Sequence, residues 1–206
     1  YRISSIEPNL ITDAIVDFTA QSGKFLPHFH IPLQAGSNRI LGLMKRRYSR
    51  EKFAERILKI QQTIPSAFIG VDIIVGFPGE TDEDFMQSYT LMEELKPSFL
   101  HVFPYSERRD TPAVELPEKV KSAVKTERAA KLQQLSINLH HNFYQKNIGF
   151  TDEVLFESAK KNELMYGFSR NYVKVEYPYK KELIGGIVKV KMTGIAASGN
   201  MNVELI

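Results

Sequence analysis

The run FIGVDIIV, Phe68 to Val75, is apolar at all but Gly70 and Asp72, and it halts in Gly76-Phe77-Pro78-Gly79 before an acidic stretch opens at Glu80. An apolar, β-branched run of this length reads as a strand buried on both faces, which belongs in a parallel sheet flanked by helices. Asp72 inside it is then either a paired buried carboxylate or a site residue, because a charge buried alone is costly.

The surrounding residues repeat the pattern. YRISSI, at the start, is a strand candidate, followed by a helix from about Asn9 with Ile11, Ile15 and Phe18 on one face and Gly23 as its stop. HFHIPL is a second strand, and Ser37 or Asn38 is placed to cap the helix after it. Ser49 caps a longer helix carrying Phe53, Ile57, Ile60 and Ile64, ended by Pro65. After the opening strand, Thr81 caps a helix whose first turn is acidic, as the helix dipole favours, and SFLHVFPYS is a fourth strand. About four strand–helix units over residues 1–116 predict an α/β fold with a parallel sheet. A complete eightfold barrel takes at least ~200 residues, so the sheet is a small open fold or part of a TIM-type barrel.

Residues 117–148 read as one long linking helix with Leu132, Leu135, Leu139 and Phe143 as its apolar stripe and Gly149 as its end. From there the period falls to two. DEVLFES, ELMYGFS, NYVKVEY, GIVKVKM and MNVELI are five short strands over residues 149–206. Val173, Val175, Val188, Val190 and Met192 point inward, while Lys174, Lys189 and Lys191 point outward. The pattern predicts a second domain, a small five-stranded antiparallel β-barrel.

The chain has no cysteine, which excludes a disulfide framework and thiolate metal sites and makes a cytoplasmic setting the default. No apolar run reaches the ~18 residues of a membrane span. Net charge is +3. The cluster KRRYSREK, Lys45 to Lys52, reads either as a solvated helix end or as a contact for phosphate or carboxylate. The lysines of the small barrel are open to the same two readings, a solvated strand face or a grip on RNA phosphates.

In parallel α/β folds ligands lie at the carboxyl ends of the strands. Here those ends are Ser4-Ser5-Ile6-Glu7-Pro8, Pro32 to Ser37, Gly76 to Glu80 and Phe103 to Ser106. Glycine admits close backbone approach and proline fixes the path, so four such ends on one rim favour a site. Gln34 and Ser37 add neutral groups suited to a ribose or a carboxylate. No hydrolytic constellation is evident among Ser4, Ser5, Ser37 and Ser106. His28 and His30 share one strand face and are candidate metal ligands without an evident third partner, and His140-His141 read as surface residues.

HFHIPLQAGSNRILGLMKRRYSREKF, VDIIVGFPGETDEDF and LHVFPYSERRDTPA, in this order, resemble the radical S-adenosylmethionine (radical SAM) methylthiotransferases, and the trailing module resembles the RNA-binding TRAM domain of those enzymes. RISSIEP, HFHIPLQ and HVFPYSERRDTPA look most like the branch acting on threonylcarbamoyladenosine in tRNA; the isopentenyladenosine and ribosomal-protein branches are the nearest competitors.

The resemblance implies that S-adenosylmethionine lies across the strand ends of a partial barrel. Gln34, Gly36 and Ser37 match the loop near its ribose and methionine portions, with Arg46 for the carboxylate. Asp72, Ile74 and Gly76 lie on the strand that contacts adenine, where Asp72 replaces a glycine usual in radical enzymes, and Phe103 to Tyr105 match the last strand. Tyr105, Ser106 and Arg108 lie where substrate approaches. Arg170, Lys174, Lys180, Lys181, Lys189 and Lys191 are the candidate tRNA grip, with Tyr172 or Tyr179 to stack. The family also uses two 4Fe-4S clusters on cysteines that this chain lacks. The expectation is therefore a carboxyl-terminal half that is inactive by itself, with an exposed strand edge at Ile3 open to dimerisation or aggregation. The competing expectation is a stand-alone RNA-binding or scaffold protein.

Overall fold

A computed structural model describes residues 1–161 and 163–206, the side chains of 159–161 excepted. Three parallel strands, β1 (His28–Gln34), β2 (Phe68–Val75) and β3 (Phe99–Pro104), form a sheet in the order β1-β2-β3. The expected strand at residues 1–6 shrinks to a single bridge, Ile3 to Phe29. The His30 N–H donates to the Ile3 carbonyl and the Ile6 N–H to the His30 carbonyl, each at 3.1 Å. Ser5, at φ 53°, then turns the chain away before Pro8.

Five helices follow the sequence pattern: α1 (Asp13–Gln21), α2 (Asn38–Leu43), α3 (Arg50–Thr63), α4 (Asp82–Leu95) and α5 (Ser122–Asn147). The Thr12, Ser49 and Thr81 hydroxyls accept from the first turns of α1, α3 and α4, with a full capping box at Thr81. Phe18, expected on the inner face of α1, is 59% exposed, and Val16 is the fully buried residue of that helix.

The sheet has two unlike faces. Phe29, Ile31, Leu33, Ile69, Val71, Ile73 and Leu100 are almost wholly buried, in one core with Phe53, Ile57 and Ile60 of α3, Met92 of α4 and Leu132 of α5. The opposite face is buried at its start, at His28, Phe68 and Gly70, where Phe143 and His140 of α5 meet Phe68 and Phe99; its further part, which carries His30, Asp72, Ile74, His101 and Phe103, is half-buried to exposed. The expectation that β2 is buried on both faces holds from Phe68 to Val71 and fails at Asp72 and Ile74, which are half-buried. A three-stranded arc turns this side toward the interior of the barrel it would belong to, and there Asp72 is tolerable.

The outer edge of β3 is met by a side chain. The Ser136 hydroxyl of α5 accepts from the Leu100 N–H at 2.9 Å and donates to the Leu100 carbonyl at 3.0 Å, replacing one rung of a missing strand. α5 then runs on to the second domain, where its Tyr144 hydroxyl accepts from the Lys174 N–H at 2.8 Å. Gly149, at φ 88°, turns the chain out of the helix.

The second domain is a closed barrel in the order β4-β5-β6-β8-β7: β4 (Thr151–Lys161), β5 (Leu164–Ser169), β6 (Lys174–Pro178), β7 (Ile187–Ile195) and β8 (Met201–Leu205). Its core is Val154, Phe156, Met165, Val173, Val175, Val190, Met192 and Met201. The expected all-antiparallel pattern fails at one seam, because β6 and β8 pair in parallel to close the barrel. Asn171 ties this domain to the first, donating to the Ser66 carbonyl at 3.0 Å and to the Asn147 side-chain oxygen at 2.7 Å.

Ser136→Ala should lower unfolding stability by about 1–3 kcal/mol, since it leaves the buried Leu100 N–H and carbonyl without that partner. Urea denaturation of the chain checks this.

Candidate functional site

The strand ends open onto a cavity of about 550 Å³ lined by Gln34, Arg46, Asp72, Ile74, Phe103, Pro104, Tyr105, Ser106, Arg108, Thr111 and Ala113. An apolar annex of about 230 Å³ adjoins it, shared at Arg46, Ile74, Tyr105, Thr111 and Ala113 and bounded by Leu43, Met44, Phe77 and Leu116. Local geometry explains how these side chains converge. Gln34 ends β1 at φ 69°, beyond a register shift from Pro32. The buried Tyr48 hydroxyl donates to the carbonyls of Pro32 and Leu33 at 3.0 and 3.2 Å, and burial pushes its pKa up to about 12. Lys45, at φ 55°, closes α2 and brings Arg46 to the rim.

Two polar atoms on this cavity are buried without a partner, the Arg46 Nε and the Tyr105 hydroxyl. Arg46 is otherwise held by the Glu7 carboxylate at 3.2 Å. Buried donors left unpaired are uncommon in folded proteins; the Arg56 Nε and the Arg128 Nε, away from this cavity, are left so as well.

The structure places the sequence candidates in two groups. Gln34, Arg46, Asp72, Ile74, Phe103, Tyr105, Ser106 and Arg108 line the cavity. Gly36, Ser37 and Gly76 do not, because their polar groups are engaged within the protein. The Gly36 N–H donates to the Ser88 hydroxyl at 2.8 Å, and a Cβ on Gly36 would stand 2.5 Å from the Ser88 Cα. The Ser37 hydroxyl donates to Asp84 at 2.5 Å instead of capping α2. The Gly76 N–H donates to the Glu80 carboxylate at 2.6 Å, and the Lys125 side chain fills the space above it. Backbone beyond β2 is also spoken for, since the Tyr105 N–H donates to the Val75 carbonyl at 2.8 Å. What β2 presents to the cavity is the side chains of Asp72 and Ile74. Thr111 and Ala113 were missed, because they come from a loop with no periodic signal.

Two buried ion networks hold the rim. Glu80 is paired with Arg128 of α5 at 2.6 Å, and burial pushes its carboxyl pKa up. Burial also works against the Asp84 carboxylate, but donation from Arg39, Ser37 and Thr81 outweighs it and holds that group well below the usual range. Both acids belong to the run that follows FIGVDIIV, so the acidic stretch serves as a brace.

On the sheet face opposite the core the expected His28–His30 pair is divided. The His28 ring stacks on Phe68 at 5.3 Å and lies edge-on to Tyr172 at 4.8 Å, and burial, then the Arg2 charge, brings its pKa down to about 4. His30 instead meets Asp72, Nε2 to Oδ1 at 2.6 Å, with His101 beside it. That third residue was legible only through the register of β2 and β3. His140 is not the surface residue expected; it is half-buried against Phe99 and Tyr144, while His141 is exposed.

The small-barrel candidates are dispersed. Lys189 and Lys191 are exposed on β7, but their cross-strand partners include Glu153 and Glu204. Lys174 lies over the Tyr166 ring at 5.1 Å and Lys180 over the Tyr177 ring at 5.6 Å. Arg170 lines a separate cleft of about 320 Å³ with Ser66, Asn147 and Asp152. Tyr172 is committed to the domain junction, against Phe168, Phe68 and His28, with Arg2 over its ring.

Residues 2–92 match the family described as the radical SAM superfamily. The chain is 41% identical over 195 residues to threonylcarbamoyladenosine tRNA methylthiotransferase MtaB of Bacillus subtilis (strain 168), covering 93% of this chain and 43% of that protein. It is 38% identical over 207 residues to tRNA-2-methylthio-N(6)-dimethylallyladenosine synthase of Bacillus mycoides (strain KBAB4), covering 100% of this chain and 40% of that one. The chain thus spans less than half the length of these relatives. Among solved structures, coproporphyrinogen III oxidase of Escherichia coli, a radical SAM enzyme, aligns with a TM-score of 0.52 at 14% identity over 91% of this chain and 45% of its own, a likeness of fold.

The Asp84 network generates a pH dependence. Its folded pKa lies below the unfolded value near 3.9, so its contribution is present above that value and is lost as pH falls toward the folded one. Asp84→Asn should cost about 2 kcal/mol near neutral pH, and the gap to the unaltered chain should close on acidification below about pH 4. Denaturant titrations across that range read both.

Proposed function

The chain is a relative of the radical SAM tRNA methylthiotransferases, and we propose that it serves as the part of such an enzyme that seats S-adenosylmethionine and the target nucleoside and holds the tRNA. The single observation carrying this reading is the cavity at the carboxyl ends of three parallel strands, lined by Arg46, Tyr105 and Arg108. Arg46 suits the methionine carboxylate, Ile74 and Phe103 offer apolar surface to a heterocycle, and Gln34 offers an amide to ribose hydroxyls. S-adenosylmethionine supplies the radical chemistry when a reduced iron–sulfur cluster binds it. The chain, having no cysteine, contributes no thiolate to such a cluster. On this reading it does not carry out the reaction unaided.

The threonylcarbamoyl substrate is favoured over the dimethylallyl one by Arg108. A threonylcarbamoyl group ends in a carboxylate, and a guanidinium on the cavity rim matches that charge. The small barrel holds the tRNA backbone through Lys174, Lys180, Lys189 and Lys191, with the glutamates beside Lys189 and Lys191 keeping the grip weak.

Equilibrium dialysis tests the cavity. Arg46→Ala should weaken S-adenosylmethionine binding at least about tenfold, the scale of losing one charged hydrogen bond. Arg108→Ala should weaken N6-threonylcarbamoyladenosine binding and leave the dimethylallyl nucleoside unaffected. Equal loss of both nucleosides would remove the substrate assignment, and S-adenosylmethionine binding indifferent to Arg46 would remove the cofactor seat.

For tRNA, the affinity of the chain should fall with salt, and the double variant Lys189→Glu, Lys191→Glu should flatten the log–log salt slope by about 1–2. Fluorescence anisotropy with an unmodified tRNA measures it; an unchanged slope would place the RNA elsewhere.

A further inference from the structure

The sheet face opposite the core brings together three side chains that the nucleoside reading does not require as a set. His30 comes from β1, Asp72 from β2 and His101 from β3, one from each strand. Register places them side by side. Asp72 pairs directly with His101, and His30 sits two residues before Pro32, the β1 partner of Asp72. Side chains two apart on a strand share a face, so the three project in common. One ligand atom from each lies within 4.8 Å of the other two. The His30 Nε2 and Asp72 Oδ1 already stand 2.6 Å apart, with both side chains about one-fifth exposed.

Gly70 forms the floor beneath them. A Cβ there would come within 3.6 Å of the His101 Nε2, 3.8 Å of the His30 Cδ2 and 3.2 Å of the Phe68 ring. A Cβ at this position would touch both imidazoles and crowd the Phe68 ring. No other His, Cys, Asp or Glu grouping of this compactness occurs among the described residues.

We propose that His30, Asp72 and His101 form a binding site for a single divalent transition ion of the zinc class. Two imidazoles and one carboxylate are the donor types such ions take, and three protein ligands leave a coordination position open. Mounting each ligand on a different strand of one hydrogen-bonded sheet fixes their spacing better than a loop would. Of the two arginines sharing the cavity with Asp72, Arg46 and Arg108, the first is turned to Glu7. The donor set is distinct from the cysteine thiolates that hold iron–sulfur clusters. An ion here borders the cavity through Asp72. The site stands without the nucleoside reading, and its test uses metal alone.

The chain, stripped with a chelator, is titrated with Zn²⁺ against a chromophoric competitor and separately with Co²⁺, followed by its visible absorption. One equivalent should bind, and the Co²⁺ spectrum should carry the intensity of a low-symmetry nitrogen–oxygen site. Asp72→Ala and His101→Ala should each weaken binding by about 100-fold or more, beyond the 10–100-fold typical of lost supporting groups. Asp72→Asn and His101→Gln keep the shape should the alanine variants unfold, and they should weaken binding likewise. His28→Gln, on the same strand and face but stacked on Phe68, should bind as the unaltered chain does. Absence of a tight equivalent, or an equivalent that survives both Asp72→Asn and His101→Gln, overturns the proposal.

Discussion

A parallel sheet of three strands leaves backbone groups unmet at both edges, and the rest of this fold depends on how α5 answers that at β3. Ser136 supplies the rung that a neighbouring strand would have made to Leu100. From the same helix, Arg128 reaches the buried Glu80, Lys125 covers Gly76 and donates to the Tyr105 carbonyl at 3.1 Å, and Tyr144 enters the core of the small barrel. One helix thus closes a sheet edge, fixes the turn after β2 and joins two domains. The apolar stripe of Leu132, Leu135 and Leu139 brings it to the sheet, but its polar residues decide where it stops.

With one face of the sheet committed to the helices, the other is released from the demand for apolar side chains. This is why Asp72 persists within an otherwise greasy strand. On a sheet buried on both sides its carboxylate would bear the full cost of desolvation; here it meets His30 and the cavity. The polar face and the strand-end cavity are therefore one consequence of the same arc. From β2, the residues that reach the cavity are Asp72 and Ile74, which alternate with the core.

Much of this was legible in the sequence. The caps at Ser49 and Thr81, the stripe of α5, the alternation of Val173, Val175, Val190 and Met192 and the end of α5 before Gly149 all follow from local sequence, and the structure keeps them. What eluded local reading required a partner far along the chain. The parallel β6–β8 seam depends on barrel closure, not on either strand's pattern. The first strand reads as six residues by propensity but pairs at one, because Ser5 turns it away. His101 looks like an ordinary strand residue until the register sets it beside Asp72.

The glycine-rich rim carries a more general lesson about reading motifs as contacts. Gly36, Ser37 and Gly76 stand in the segments that point most strongly to a ligand, yet each spends its polar group inside the protein. Gly36 is small because α4 crosses there, and Gly76 adopts φ 74° beneath Lys125. A motif of this kind fixes the path of the strand end, and the path in turn decides which longer side chains overhang the cavity. Arg46 and Tyr105 then do what the glycines cannot, reaching the cavity wall with long side chains. Small residues build the rim, and the larger ones it positions line the cavity.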